Sequence, residues 1–501
     1  MIRRVLTCSA AALLALTVVA PARAASRQGH GVLLHGKQVY LKNCAVCHGK
    51  RGDGNGRAAY LLYPKPRDFT RGIFKLRSTL TTPTDADLFH TITHGIPGTA
   101  MPGWSILSTA DRHALVAYIK SLSPSFTEKP AAPVAIPAPP PLTAEMARAG
   151  KQLYIDAGCN SCHGPDGAGD GPSAEGLKDD WGFPIAPQDL RRADRFKAGA
   201  APQSIYRVLA VGMGGTPMPA FGDVLTKEQS WQLVAYVRSL ARKDGQEAAA
   251  APAGPITAKR IQGPLDPWDP FAPAWKRANP VAVPLMTLWA RAQTTPKLTV
   301  RALHTDRKIG FLIEWEDPNA DFGGTRSQDF SDAVAIQFPL GTEPPAFEMG
   351  AKGSLVNIWQ WRASKELEAA QRSVGATHLV PAVDFYPFAT DPVFQPARAT
   401  GNGLFAVIPP LSITEFNAEG FGTLTPQPPD DQQARGHGAW RDGKWRVVMV
   451  RSLKTDSSRD RTFAAGETVP VAFAVWDGSH HDRDGRKAVS VWQQVRVEKA
   501  P

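Results

Sequence analysis

Two five-residue stretches decide how this chain reads: Cys44-Ala45-Val46-Cys47-His48 and Cys159-Asn160-Ser161-Cys162-His163. Both have the form C-x-x-C-H. In such a segment two thiols can add across the vinyl groups of a haem, and the adjacent histidine offers an axial nitrogen to the iron. The spacing puts both sulfurs on one side of a helical turn. A bare C-x-x-C could instead hold zinc or form a thiol redox pair, but zinc would need further ligands at matching positions in both copies. The chain has five cysteines. Cys8 lies in an apolar N-terminal stretch expected to be removed, and the other four all fall in the two motifs, so no cysteine remains for a structural disulfide.

The motifs sit in repeats. Cys44 to Cys159 is an offset of 115, Met101 to Met218 of 117, and Tyr118 (VAYIKSL) to Tyr236 (VAYVRSL) of 118. Three landmarks at nearly one offset indicate duplication of a domain of about 100 residues. Each copy carries a helix signal late in its length. Ser108-Thr109-Ala110-Asp111 and Thr226-Lys227-Glu228-Gln229 are capping boxes. They precede stripes of Leu115, Tyr118, Ile119 and Leu122, and of Leu233, Tyr236, Val237 and Leu240. Short helices are expected ahead of each motif, at Gly36 to Lys42 and Ala144 to Ala157. The Gly/Pro-rich middle of each copy should hold little regular structure.

A second axial ligand should come from a downstream loop. Met101 lies in Gly98-Thr99-Ala100-Met101-Pro102-Gly103, and Met218 in Thr216-Pro217-Met218-Pro219-Ala220. His48 to Met101 spans 53 residues and His163 to Met218 spans 55, which favours Met218 over the nearby Met213. Methionine also fills core gaps. His90 and His94 are rival ligands in the first copy, with no counterparts in the second.

The rest of the chain supplies context. Arg3-Arg4, the apolar run Val5 to Ala20 and Ala22-Arg23-Ala24 form a signal-peptide pattern, so residues 1–24 are expected to be cleaved on export to the periplasm. The apolar run is too short for a comfortable span, and no later stretch is apolar for long enough to cross a bilayer. The formal charge is +11. Removing three arginines with the signal leaves about +8, a basic surface suited to an acidic redox partner. No basic helix or aromatic-basic motif points to nucleic acid. Residues 25–129 and 143–245 are the two repeats, joined by a Pro/Ala segment at 130–142 that should act as a stiff spacer. An Ala/Pro/Gly joint at 246–255 leads to a third region, 256–501. There, alternation replaces helical periodicity. Strands are expected through Leu298, Val300 and Ala302, and at 309–315, 333–338, 355–361, 445–451, 469–476 and 489–497, in a β-sandwich or barrel.

Residues 30 to 243 resemble two tandem class I c-type cytochrome domains. The resemblance implies an all-α fold around each of two covalent c haems, attached at Cys44/Cys47 and Cys159/Cys162 and ligated by His48/Met101 and His163/Met218. Such six-coordinate iron suits electron transfer rather than substrate chemistry.

The third region carries Phe311-Leu312-Ile313-Glu314-Trp315-Glu316-Asp317, Phe330 to Pro339 (FSDAVAIQFP), Met349-Gly350, Val356 to Ala363 (VNIWQWRA), Ala418 to Thr425 (AEGFGTLT), Gly443 to Val448 (GKWRVV) and Val471 to Gly478 (VAFAVWDG). In that order they resemble the haem-b-binding gamma subunit of ethylbenzene dehydrogenase and its dimethylsulfide dehydrogenase, selenate reductase, chlorate reductase and nitrite oxidoreductase relatives. The resemblance implies an all-β sandwich holding one non-covalent b haem between a methionine, here Met349, and a lysine. That lysine is expected shortly before the Ala418-Glu419-Gly420-Phe421-Gly422 block, yet no lysine lies between Phe385 and Gly422. Lys352 and Lys365 lie too close to Met349 to be assigned, and His378 and His437 are alternatives. The resemblance further implies molybdenum catalytic and iron–sulfur subunits as partners, with soluble cytochromes or a terminal oxidase beyond them. Two rival readings remain: a docking module that has lost its b haem, and a haem enzyme using an open third site.

Overall fold

The computed structural model describes the chain except residues 1–18, 129–131, 242–253, 290, 292–293, 324–325, 327, 342, 346–348, 367–410 and 500–501. The first repeat holds helices α1 (Val19–Asn43), α2 (Ala45–His48), α3 (Asp85–His94), α4 (Thr109–Ser121) and α5 (Ser125–Glu128). The second holds α6 (Ala144–Asp156), α7 (Cys159–His163), α8 (Pro202–Val211) and α9 (Lys227–Ser239). Both expected capping boxes form, at Ser108/Asp111 and Thr226/Gln229, and Thr84/Asp87 adds a third at the start of α3. α1 begins well before Gly36, at Val19, with Pro21 in its first turn, where the missing N–H costs no helical hydrogen bond.

In each repeat the first helix crosses the last long one, α1 against α4 and α6 against α9. The crossing point is a glycine: a Cβ on Gly36 would lie 2.1 Å from the Ala114 carbonyl oxygen, and one on Gly150 would lie 2.0 Å from that of Gln232. Only a residue without a side chain allows two backbones this close. The segment expected to be a stiff spacer outside the core packs against it. The Val134 N–H donates to the Ser78 carbonyl at 2.7 Å, and Val134, Ile136 and Leu142 lie against the core of the second repeat. Its apolar side chains find apolar surface, which a polar linker could not use.

The third region is one bent sheet built from β1 (Ile256–Arg260), β2 (Val281–Pro284), β3 (Met286–Thr287), β4 (Lys297–His304), β5 (Lys308–Glu316), β6 (Ala333–Pro339), β7 (Val356–Arg362), β8 (Ile413–Ala418), β9 (Thr425–Pro426), β10 (Arg435–Arg441), β11 (Lys444–Ser452), β12 (Thr468–Trp476), β13 (Ala488–Val489) and β14 (Gln493–Val497). The main path runs β10-β11-β5-β4-β1-β14-β12-β6-β7-β8-β9. It is mixed, since β1 runs parallel to both β4 and β14. β12 turns the corner: residues 468–471 pair with β14 and 472–476 with β6. The two halves enclose one core with Phe311 and Trp315, Trp359 and Trp361, Trp445 and Phe473 at its centre. Burying each such ring stabilises the fold by roughly 2–3 kcal/mol. Arg451 is fully buried among them, paired with Glu415 at 3.0 Å and Asp460 at 3.1 Å. The expected strand 489–497 is split. Between β13 and β14, Ser490 exchanges hydrogen bonds with the backbone of Phe473 (Ser490 N–H to the carbonyl, Phe473 N–H to Oγ), which redirects the chain.

Candidate functional site

The first site grows from the end of α1. The Cys44 N–H donates to the Tyr40 carbonyl at 2.8 Å, so the helical path continues through Cys44 into α2 and sets Cys47 and His48 one turn on. The buried Tyr40 hydroxyl donates to the Gly49 carbonyl at 2.7 Å, tying α1 to the residue after His48. His48 Nδ1 lies 2.9 Å from the Arg67 carbonyl, which can only accept, so Nδ1 carries the proton and Nε2 keeps its lone pair. Burial pushes the His48 imidazolium down to about 4, leaving the neutral ring an iron ligand needs. Cys44, Cys47, His48 and Met101 line one cavity, walled by Phe69, Trp104 and Leu115. Two thiols, an imidazole and a thioether around one apolar space fit a covalent haem with His/Met ligation.

The second repeat copies these parts. Tyr154 donates to the Gly164 carbonyl at 2.6 Å, and His163 Nδ1 faces the Gln188 carbonyl at 3.0 Å. Burial lowers the His163 pKa as well. Cys159 and Met218 pack against the same core.

The methionine loops are held alike. The Met101 N–H donates to Thr99 Oγ1 at 3.1 Å, while the Met101 carbonyl accepts from the Ile96 N–H at 2.9 Å. The Met218 N–H donates to Thr216 Oγ1 at 3.3 Å, and its carbonyl accepts from the Met213 N–H at 3.1 Å. Met213 is thus the counterpart of Ile96, a backbone support for the loop. The His90 and His94 rings lie 4.4 Å apart, tilted by 43°, on the face of α3 turned to a neighbouring cleft, while Leu88 and Ile92 face the cavity of the first motif.

The third site differs from expectation. Lys487 Nζ lies 3.6 Å from Met349 Sδ, although 138 residues separate them. The sequence reading did not name this lysine, which lies in the turn leading into β13 rather than before the Ala418 block. Met349 packs on the outer face of β6, β7, β8 and β12, the face away from the main core. That face is floored by Ala333, Ala335, Ala472 and Ala474 and flanked by Phe416, Trp476 and Trp492. Small side chains between aromatic flanks make an apolar face suited to a flat macrocycle. Lys487 Nζ lies 5.0 Å from the Trp476 ring. Burial pushes its ammonium down to about 8, toward the neutral amine a metal ligand requires. Two of the other candidates are engaged elsewhere. Lys365 donates to Thr414 at 2.9 Å, and His437 pairs with Glu366 at 2.6 Å, which raises its pKa. His378 lies outside the described residues.

The β-region abuts the first site. Met286, Val489 and Val491 pack against the core of the first repeat, and Leu288 and Val489 meet Val46, Cys47 and Ala100. Tyr40, Tyr154 and the two carbonyls behind the histidines were missed from sequence. The Tyr40-to-Tyr154 offset of 114 was the available signal for the tyrosines.

Comparison with known proteins gives the same division. Residues 33–123 and 147–241 match the cytochrome c family, and residues 272–399 and 418–488 match the ethylbenzene dehydrogenase family. A chain of Haloferax mediterranei described as a respiratory nitrate reductase haem subunit is 29% identical over 249 residues, 48% of this chain and 73% of its own. The chlorate reductase subunit gamma of Ideonella dechloratans is 28% identical over 264 residues, 50% of this chain and 90% of its own. The dimethylsulfide dehydrogenase subunit gamma of Rhodovulum sulfidophilum is 27% identical over 202 residues, 40% of this chain and 60% of its own.

Proposed function

We propose that this chain, whose helical repeats belong to the cytochrome c family and whose β-region belongs to the ethylbenzene dehydrogenase family, is the electron-transfer cytochrome subunit of a molybdenum oxidoreductase. Its relatives include subunits named for chlorate reductase and dimethylsulfide dehydrogenase. Catalysis then belongs to a separate molybdenum subunit, reached through an iron–sulfur subunit, and soluble cytochromes or a terminal oxidase take the other end. The N-terminal signal pattern supports a periplasmic setting after cleavage. Among the described residues no helix is long and apolar enough to cross a membrane.

The observation that carries this reading is the Met349–Lys487 pair on the β-region. The docking-module and open-site readings both arose from a missing lysine, and Lys487 removes that motive. Haem bound at the three sites supplies one-electron storage. The chain directs the Nδ1–H groups of His48 and His163 at backbone carbonyls, which leaves each Nε2 lone pair available, and it lines the first cavity with His48, Met101 and apolar side chains. The packing of Leu288 and Val489 on Cys47 supports a linear order, with the b site next to the first c site and the second c site beyond.

Pyridine haemochrome with acid–acetone extraction on the mature protein tests the reading. Two non-extractable c haems and one extractable b haem are expected, and Lys487→Ala should lose only the extractable haem or turn it high-spin. Two c haems and no b haem, after expression with adequate haem supply, would reduce the β-region to a docking domain.

A further inference from the structure

The cavity around Cys44, Cys47, His48 and Met101 is not built by the first repeat alone. Lys197, from the second repeat, lines it beside Lys75 and Arg67 of the first. Arg67 is engaged, with its guanidinium stacked 3.9 Å over the Trp181 ring of the second repeat. Lys65, also in the wall, donates to the Ala59 carbonyl at 2.9 Å.

Lys75 and Lys197 have no such occupation. Among the described residues neither has a carboxylate within ion-pair distance, and Lys197 Nζ reaches only Gln188 Oε1 at 3.2 Å. Each depresses its ammonium mainly through burial. Lys75 falls to about 8, with Arg67 and Lys197 adding repulsion and Asp179 opposing it without an ion-pair contact. Two half-buried like charges facing one cavity are costly unless an anion sits between them. A haem held at Cys44 and Cys47 brings two propionates, the matching charge.

We propose that Lys197 and Lys75 bind the propionates of the first c haem, so that the second repeat completes the first repeat's cofactor site and lies at its propionate edge. This rests on the first repeat carrying a c haem. The placement also has a consequence for the relay. Gln188 holds Lys197 by its side chain and accepts from His163 Nδ1 by its carbonyl. One residue therefore joins the propionate edge of the first haem to the axial histidine of the second. The open cleft beside both lysines, lined also by Arg77 and Arg207, gives the propionates access to water.

The test is a spectroelectrochemical titration of the full chain with both c haems attached, comparing Lys197→Met, Lys197→Arg and Lys75→Met. Met101→His marks which of the two waves belongs to the first haem. Removing a positive charge beside the propionates favours ferric iron, so Lys197→Met should lower the first haem's potential, and Lys197→Arg should restore it. Lys75→Met should lower the same wave, which covers the case in which the Lys197 variant fails to fold. An unchanged first wave in Lys197→Met, with both haems present by mass, overturns the proposal. So does a fall that Lys197→Arg does not reverse, since that marks a structural loss. Absence of haem from the unaltered first repeat, seen by peptide mass, would instead sink the reading beneath it.

Discussion

At the scale of single residues, the sites divide by how their side chains are brought together. Cys44, Cys47 and His48 are held within one helical turn, so their geometry follows from adjacency. Met349 and Lys487 meet only because two distant loops converge. Asp317 is a residue of the second kind. It is 2% exposed, and no hydrogen bond reaches its Oδ2. Burial, then Asp332 and Asp477, push its carboxyl up to about 8, and burial pushes Asp332 to about 6. Unfolded, each would titrate near 3.9. The folded state therefore holds these protons more tightly. That contribution to stability is whole below about pH 4 and is lost as pH rises through 6 and 8. The melting temperature of the β-region, followed by near-UV circular dichroism of its tryptophan core, should fall between pH 5 and pH 8. Asp317→Asn, neutral at every pH, should flatten that slope and melt higher at pH 8. An equal slope in the variant would refute the assignment.

At the scale of elements, the helical repeats depend on close crossings and the β-region on register. The Gly36 and Gly150 crossings are counterparts, and at each the atom in the way is a backbone oxygen. A side chain there cannot be absorbed by a rotamer change, so α6 and α9 must separate. Gly150→Val should cost about 1–3 kcal/mol and lower the thermal midpoint of the second repeat by several degrees. The α-helical signal at 222 nm, followed on heating, measures it. An unchanged midpoint would mean that the helices do not cross there in solution. In the sheet, register does the equivalent work. The partner switch of β12 at residues 471–472 carries β6, β7 and β8 over the core, with Val334, Ile336, Trp359, Trp361 and Ile413 on the inner face and Ala333, Ala335, Val356, Ile358 and Ala418 on the outer one.

At the scale of the whole molecule, the three units are linked in space as well as by the chain. The turn carrying Lys487 runs directly into Val489, which packs on the Cys47 cluster, and Arg67 stacks on Trp181 across the two repeats. The first repeat therefore touches both the β-region and the second repeat. Replacing Cys44 and Cys47 by alanine should leave the b haem and the second c haem in place while slowing electron re-equilibration between them. Rapid-mixing spectroscopy of their separate bands reads this, and an unaltered rate would mean that they exchange directly. The sequence by itself determined what is written contiguously: both haem-attachment motifs, the duplication, the capped helices and most strands, because each depends on residues within a turn or a strand of one another. The choice of Met218 over Met213 also followed from spacing alone. Only the tertiary structure decided that Lys487 faces Met349, that the proline-rich joint packs rather than spans, and that Lys197 enters the neighbouring repeat's cavity. Each of those contacts joins segments far apart in the chain, and no local periodicity encodes which distant surface a loop will meet once sheet register and domain packing are set.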